Sequence, residues 1–238
     1  MTSSVFMNTL AGNKPKQTPI WVMRQAGRYL TEYRTVRQSQ KDFISFCLNP
    51  EKASEVTLQP IKRFDFDAAI IFSDILMVPW ALNRNVRFIT GTGPRLTPLS
   101  LDTNLDDTLL DQIEKRLSPV GRAIELTRLN LATNKALIGF AGAPWTVITY
   151  MIEGGSSRDF TETKRWLWLN PKEFEALFDY MTQATINFLT MQARAGADVL
   201  MLFDSWASAV PAERRDQFII APIRKIVRAL REQGNKQP

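Results

Sequence analysis

An α/β chain built on a parallel sheet is what this sequence predicts, and three observations carry that expectation. Short runs of apolar and β-branched residues alternate with long stretches of helical periodicity. Those short runs are hydrophobic at nearly every position, as strands covered on both faces are. With 238 residues, 45% hydrophobic and 23% charged, the chain can bury a sizeable core as one domain over residues 1–238.

The first strand is expected at residues 20–23, and it delivers Arg24 and Arg28, four residues apart. That spacing is one helical turn, so the pair suits either a solvated helix face or an anion clamp of two fixed-charge guanidinium forks. Asn49, Pro50 and Glu51 then open a helix, as N-cap, first helical residue and first-turn acid. A second strand is expected at residues 68–72. Leu110, Ile113, Leu117, Val120 and Ile124 keep helical spacing, with a break and restart expected at Ser118 and Pro119. The third strand, residues 137–141, is followed by a helix carrying Tyr150. Asn170, Pro171 and Glu173 open a long helix that Gly196 stops, and the fourth strand is expected at residues 199–203.

Parallel strands joined by helices demand a doubly wound sheet or a closed (β/α) barrel. The phosphate-cradling glycine patterns of the former are absent: GFAGAP and EGGSS have the wrong spacing and read as turns and caps. A barrel places functional groups at the carboxyl ends of its strands. After each expected strand comes a suitable group: Arg24 and Arg28, then Asp74, then Tyr150, then Asp204 with Ser205. Four units are legible where a closed barrel needs eight, so a barrel built from these residues alone would be an open half with exposed apolar edges, prone to instability or self-association unless another segment covers it.

The formal charge of +6 is spread among acidic residues without basic blocks, which argues against nucleic acid and for an acidic small molecule. The chain has no histidine, so Ser-His-Asp triads, Cys-His dyads and HExxH zinc sites are excluded from these residues. Its one cysteine, Cys47, flanked by Phe46 and Leu48, reads as a buried packing residue in a reducing compartment. No apolar run is long enough to span a bilayer and no secretory signal is legible, so a cytoplasmic location is expected.

Each candidate has a structural reading beside its functional one. Asp74 could cap a helix or stand as a costly carboxylate against Phe72, Ile75 and Trp80. Tyr150 could be a core residue with its hydroxyl at the rim, and Asp204 and Ser205 could form a strand-ending turn. Trp166 and Trp168 read as packing residues.

Four motifs in order, MRQAGRYLTEYR, EVTLQPIKRFDFDAAIIFSDIL, GFAGAPWTVITYMIEGGSS and AGADVLMLFDSW, resemble the uroporphyrinogen decarboxylase family. The main departure is GTGP at residues 91–94, where the family usually has GEGP. The resemblance implies a (β/α)8 barrel, commonly homodimeric, that decarboxylates the four acetate side chains of uroporphyrinogen III to give coproporphyrinogen III in haem biosynthesis. It implies no metal or organic cofactor. It assigns Asp74 to the cleft centre, Arg24 and Arg28 to substrate carboxylates or proton delivery, and Gln25, Tyr150 and Ser205 to substrate contact. The family's later motifs, including a glycine and histidine segment, have no counterpart here, so the carboxyl-terminal part of the barrel is expected to be missing. Two alternatives stand beside this: a non-catalytic or split relative that binds a tetrapyrrole or a partner chain, and a cobamide methyltransferase relative. The latter usually needs a zinc site of His and Cys, which these residues do not supply.

Overall fold

The computed structural model describes residues 4–238. Their elements run α1 (Val5–Leu10), α2 (Thr31–Gln38), α3 (Phe43–Cys47), α4 (Pro50–Phe64), β1 (Ala68–Ile70), α5 (Met77–Ala81), β2 (Arg87–Ile89), β3 (Gly93–Arg95), α6 (Asp107–Asp111) and α7 (Ile113–Asn130). There follow β4 (Ala136–Gly142), α8 (Pro144–Glu153), α9 (Thr161–Leu169), α10 (Pro171–Arg194), β5 (Val199–Phe203) and α11 (Ala221–Glu232), the last entered through a π-helical turn at Asp216–Ile220.

The sheet is parallel, in the order β1-β4-β5, with Ala68 opposite Ala136 and Ile138 opposite Val199. Every residue of β1 and β4 is buried, as the unbroken apolar runs predict. Helix α10 covers β4 and also packs on α7, α8 and α11. Behind this layer Trp145 is fully buried, its ring 6.1 Å from that of Phe174 and 6.3 Å from that of Phe218. The amino ends of the strands are stitched by Asp198, whose Oδ2 accepts from Arg128 Nη1 at 2.7 Å and from the Leu137 N–H at 2.8 Å.

Three of the four expected strands form this sheet; residues 20–23 do not. They run as irregular chain that touches the sheet edge through one residue: Ile20 N–H donates to Asp67 Oδ2 at 2.7 Å, and its carbonyl accepts from the Asp67 N–H at 2.9 Å. Ile20 is 53% exposed and Met23 56%, so the cover that a two-faced buried strand needs is absent among the described residues. The helical spacing of Arg24 and Arg28 is likewise not realised, because α2 begins only at Thr31.

Further corrections concern punctuation. Helix α7 runs through Pro119 rather than breaking there, and the interruption falls at Gln112. Pro119 has no N–H for the Lys115 carbonyl, and the Ser118 hydroxyl takes that carbonyl instead at 2.9 Å. The glycines of GFAGAP lie inside β4, not in a turn. A Cβ on Gly139 would stand 2.6 Å from Gln192 Oε1, and one on Gly142 would stand 2.5 Å from Val147 Cγ2. The EGGSS glycines behave as expected: Gly154 ends α8 in the left-handed region, at φ 72°. Asn49 caps α4 through the Lys52 N–H at 3.1 Å, whereas Asn170 precedes α10 without a side-chain cap bond. Trp166 packs on the core, but Trp168 is 48% exposed beneath the Arg214 guanidinium.

Candidate active site

The carboxyl ends of β1, β4 and β5 open on one side of the sheet, and the loops that leave them carry the candidate residues. Strand β1 diverges from β4 after Ile70, and two side chains satisfy the backbone where the ladder stops. Thr57 of α4 accepts the Phe72 N–H at 2.9 Å. Gln192 of α10 clasps Phe140 on both sides, accepting its N–H and donating to its carbonyl, each at 2.8 Å. Gly139 is required where it stands because Gln192 lies over it.

Asp74 follows this divergence on the loop into α5. Its Oδ1 accepts the Leu76 N–H at 2.8 Å in a local turn ahead of α5, which itself has no side-chain cap bond, so the helix-capping role is not realised. Its Oδ2 has no hydrogen-bond partner among the described residues, leaving half of the carboxylate uncommitted. Burial pushes its pKa up to about 6, against the downward pull of the Leu76 N–H and of the Arg24 charge. Behind it lies the Cys47 thiol, buried as expected and driven well upward by its apolar surroundings and by the Asp74 charge. Gly142 lets Ile75 approach β4, since a Cβ there would stand 3.0 Å from Ile75 Cβ and 3.3 Å from its carbonyl oxygen.

Arg24 is exposed and sits in the left-handed region at φ 58°, a strained setting for a residue with a Cβ. Gln25 holds it there. The Gln25 side chain, 1% exposed, accepts the Val22 N–H at 3.2 Å and donates to the Ala68 carbonyl at 3.1 Å, tying the arginine loop to the start of β1. Both ends of that amide are spent on the backbone, and the residue is turned inward. Arg28 is exposed as well, but its field is felt at Tyr33, not at Asp74.

Tyr150, half-buried on α8, feels the charges of both Asp74 and Arg24; burial raises its pKa most, with the Trp206 side chain opposing. Its ring lies 6.3 Å from that of Trp206. Thus Arg24, Asp74 and Tyr150 form one electrostatic group, and Trp206 joins it to the loop after β5. Ser205, exposed on that loop, has no side-chain hydrogen bond among the described residues.

From FDSW the sequence singles out Asp204 and Ser205, and it assigns no role to Thr146 or Trp206. The Thr146 hydroxyl donates to Asp204 Oδ1 at 2.6 Å and accepts the Trp206 N–H at 3.0 Å, while Trp145 Nε1 donates to the Trp206 carbonyl at 2.9 Å. Burial raises the Asp204 pKa against these hydrogen bonds. The signal was present: an Asp directly after one strand and a Thr in the first turn of the helix after another, each within two residues of a tryptophan. Asp204 Oδ2 and Ser73 Oγ are both buried without a partner among the described residues, and such orphaned polar atoms at two strand ends mark a place where ligand atoms can be met. Concavities of about 330 Å³ beside Lys14 and Lys16, and about 250 Å³ between α10 and α11, lie elsewhere and include none of these residues.

A family model described as uroporphyrinogen decarboxylase matches residues 1–238. The uroporphyrinogen decarboxylase of Maricaulis maris is 47% identical over 238 residues, covering 100% of this chain and 69% of that protein. That of Rhodospirillum rubrum is 45% identical over 232 residues, covering 98% and 67%, and that of Caulobacter vibrioides is 46% identical over 233 residues, covering 98% and 66%. A methyltransferase from Methanosarcina mazei superposes with a TM-score of 0.74 over 94% of this chain and 65% of its own, and at 19% identity it shares the fold alone. The α/β architecture, the order of motifs and a match along the whole sequence converge: this chain belongs to the uroporphyrinogen decarboxylase family.

Proposed function

We propose that this chain carries the amino-terminal strand ends of a (β/α)8 uroporphyrinogen decarboxylase site, and that the reaction is removal of carbon dioxide from the acetate side chains of uroporphyrinogen. The observation that carries the reading is Asp74: a half-buried carboxylate, one oxygen uncommitted, facing the Arg24 charge at a strand end.

Protonation of a pyrrole carbon beside an acetate makes a ring cation. The bond from the acetate methylene to its carboxylate then breaks, carbon dioxide leaves, and the electron pair neutralises the cation. A second proton on the exocyclic carbon and loss of the first from the ring carbon restore the pyrrole and give the methyl product, so each acetate consumes one proton overall. Asp74 stabilises the cation and accepts hydrogen bonds from pyrrole N–H groups. Arg24 and Arg28 grip substrate carboxylates, with Tyr150 and Ser205 at the far wall and Gln25 acting through the Arg24 loop. An octacarboxylate suits a chain of net charge +6. The homodimer and the cytoplasmic location of the family are part of the same reading.

Anaerobic incubation with enzymatically generated uroporphyrinogen III, followed by oxidation and chromatography of the porphyrins, tests it. Stepwise loss of four carboxylates is expected, with Asp74→Asn and Arg24→Gln each slowing turnover by about a hundredfold or more. Unchanged rates in both variants overturn the assignment. A second, non-catalytic reading is favoured by the sheet, which has three strands among the described residues where a closed barrel has eight. Tetrapyrrole binding without any product would select that non-catalytic role.

A further inference from the structure

The backbone of Trp206 is gripped from both sides by the first turn of α8: its N–H by the Thr146 hydroxyl at 3.0 Å, its carbonyl by Trp145 Nε1 at 2.9 Å. A hydroxyl can rotate, and a single one can either donate or accept toward a given neighbour. Here its proton is committed to Asp204 Oδ1 at 2.6 Å, which turns an oxygen lone pair to the Trp206 N–H. The ladder ends one step earlier, where the Ala143 N–H donates to the Phe203 carbonyl at 2.9 Å. Between these two anchors the chain has room for little besides the turn 204–206, and Ser205 is its exposed residue. The same turn sets the Trp206 ring, which lies 6.3 Å from Tyr150 and 5.4 Å from Phe160.

We infer that Asp204 is a positioning residue: acting through the Thr146 hydroxyl, it locks the turn 204–206 and so aims Ser205 at a carboxylate of the substrate. The inference rests on the decarboxylase reading of the site for what Ser205 meets, but the lock itself is a matter of backbone geometry. Asp204 Oδ1 is spent on this hydrogen bond and Oδ2 is buried without a partner among the described residues, so the carboxylate carries a desolvation cost and its one side-chain bond is the one that holds the turn.

Two measurements on the full chain separate lock from aim. Hydrogen exchange at the Trp206 amide reads the lock without any ligand: Thr146→Val is expected to speed it about tenfold, and Thr146→Ser to restore it. Asp204→Asn, which keeps an oxygen acceptor, is expected to stay near wild type where Asp204→Ala does not, so the test survives if Thr146→Val does not fold. Binding of uroporphyrin III, the stable oxidised analogue, reads the aim. Thr146→Val is expected to weaken it about tenfold, and the Thr146→Val/Ser205→Ala double variant to bind no worse than Ser205→Ala alone. Exchange at Trp206 that ignores the hydroxyl overturns the lock, and additive binding losses overturn the aim. Failure of the wild-type chain to bind uroporphyrin, with hydroxyl-dependent exchange intact, overturns the decarboxylase reading alone.

Discussion

Asp74 is the carboxyl group on which the proposed reaction turns, and its environment makes its ionisation costly to the fold. Its pKa is about 6 in the fold against an ordinary 3.8. Below about pH 4 it is protonated in folded and unfolded chains alike, and no penalty exists. As pH rises through 6 the folded chain ionises a buried group, and stability is lost that does not return. Asp74→Asn is therefore expected to raise stability at pH 7.5 by about 1 to 2 kcal/mol, discounting for partial solvent access, with the gain vanishing below pH 4 in denaturant titrations. The wild-type rate should fall on an acid limb near pH 6 that the variant lacks. Gln25 works differently. Gln25→Ala strands the Val22 N–H and the Ala68 carbonyl and releases the strained Arg24, so a loss of about 1 to 3 kcal/mol with a raised KM is expected, measurable by urea unfolding and steady-state kinetics.

At the scale of elements, the two β4 glycines give matched substitutions with different consequences. Gly139→Ala drives a methyl into Gln192, the amide that holds the Phe140 N–H and carbonyl. Gly142→Ala drives one into Val147 and toward Ile75, the neighbour of Asp74. Both are expected to cost about 1 to 3 kcal/mol by thermal unfolding. Only Gly142→Ala should also lower kcat, because only there does relief of the clash displace the Asp74 loop. The pair also shows what a motif read as a turn can conceal: close approach by a neighbour selects glycine as surely as a positive φ does, and the approaching side chain, fifty residues away in Gln192, is invisible along the chain. The same limit explains Pro119, where a helix survives because the hydroxyl of the preceding residue serves the orphaned carbonyl.

For the molecule as a whole, no strand pairs with the outer side of β1 or of β5 among the described residues. On one side Ile20, Met23 and Val22, the last 44% exposed, stand where a strand was expected. On the other, β5 is mostly half-buried and the Leu200 N–H takes the Pro238 carbonyl at 3.0 Å. Apolar surface of this kind drives association. Val22→Ser with Met23→Gln is expected to lower the weight-average mass in sedimentation at micromolar concentration, and no change in mass would show that this edge does not mediate association. The chain spans 69% and 67% of the length of two of its relatives, which gives the exposed edges their context.

The sequence by itself determined the α/β class, three of the four strands, the family, and the residue types available for catalysis, because continuous apolar runs and four long motifs are local patterns. It placed Asp74 and Ser205 on the loops after two strands, and Tyr150 on the helix after a third, for the same reason. The tertiary structure alone decided that residues 20–23 are not a strand, that Gln25 faces inward, that Arg24 rather than Arg28 reaches the field of Asp74, and that Thr146 ties the β5 turn to α8. Strand identity needs cover from neighbours, and a pKa needs burial and charges brought together from distant segments. Those quantities exist only once the chain has folded.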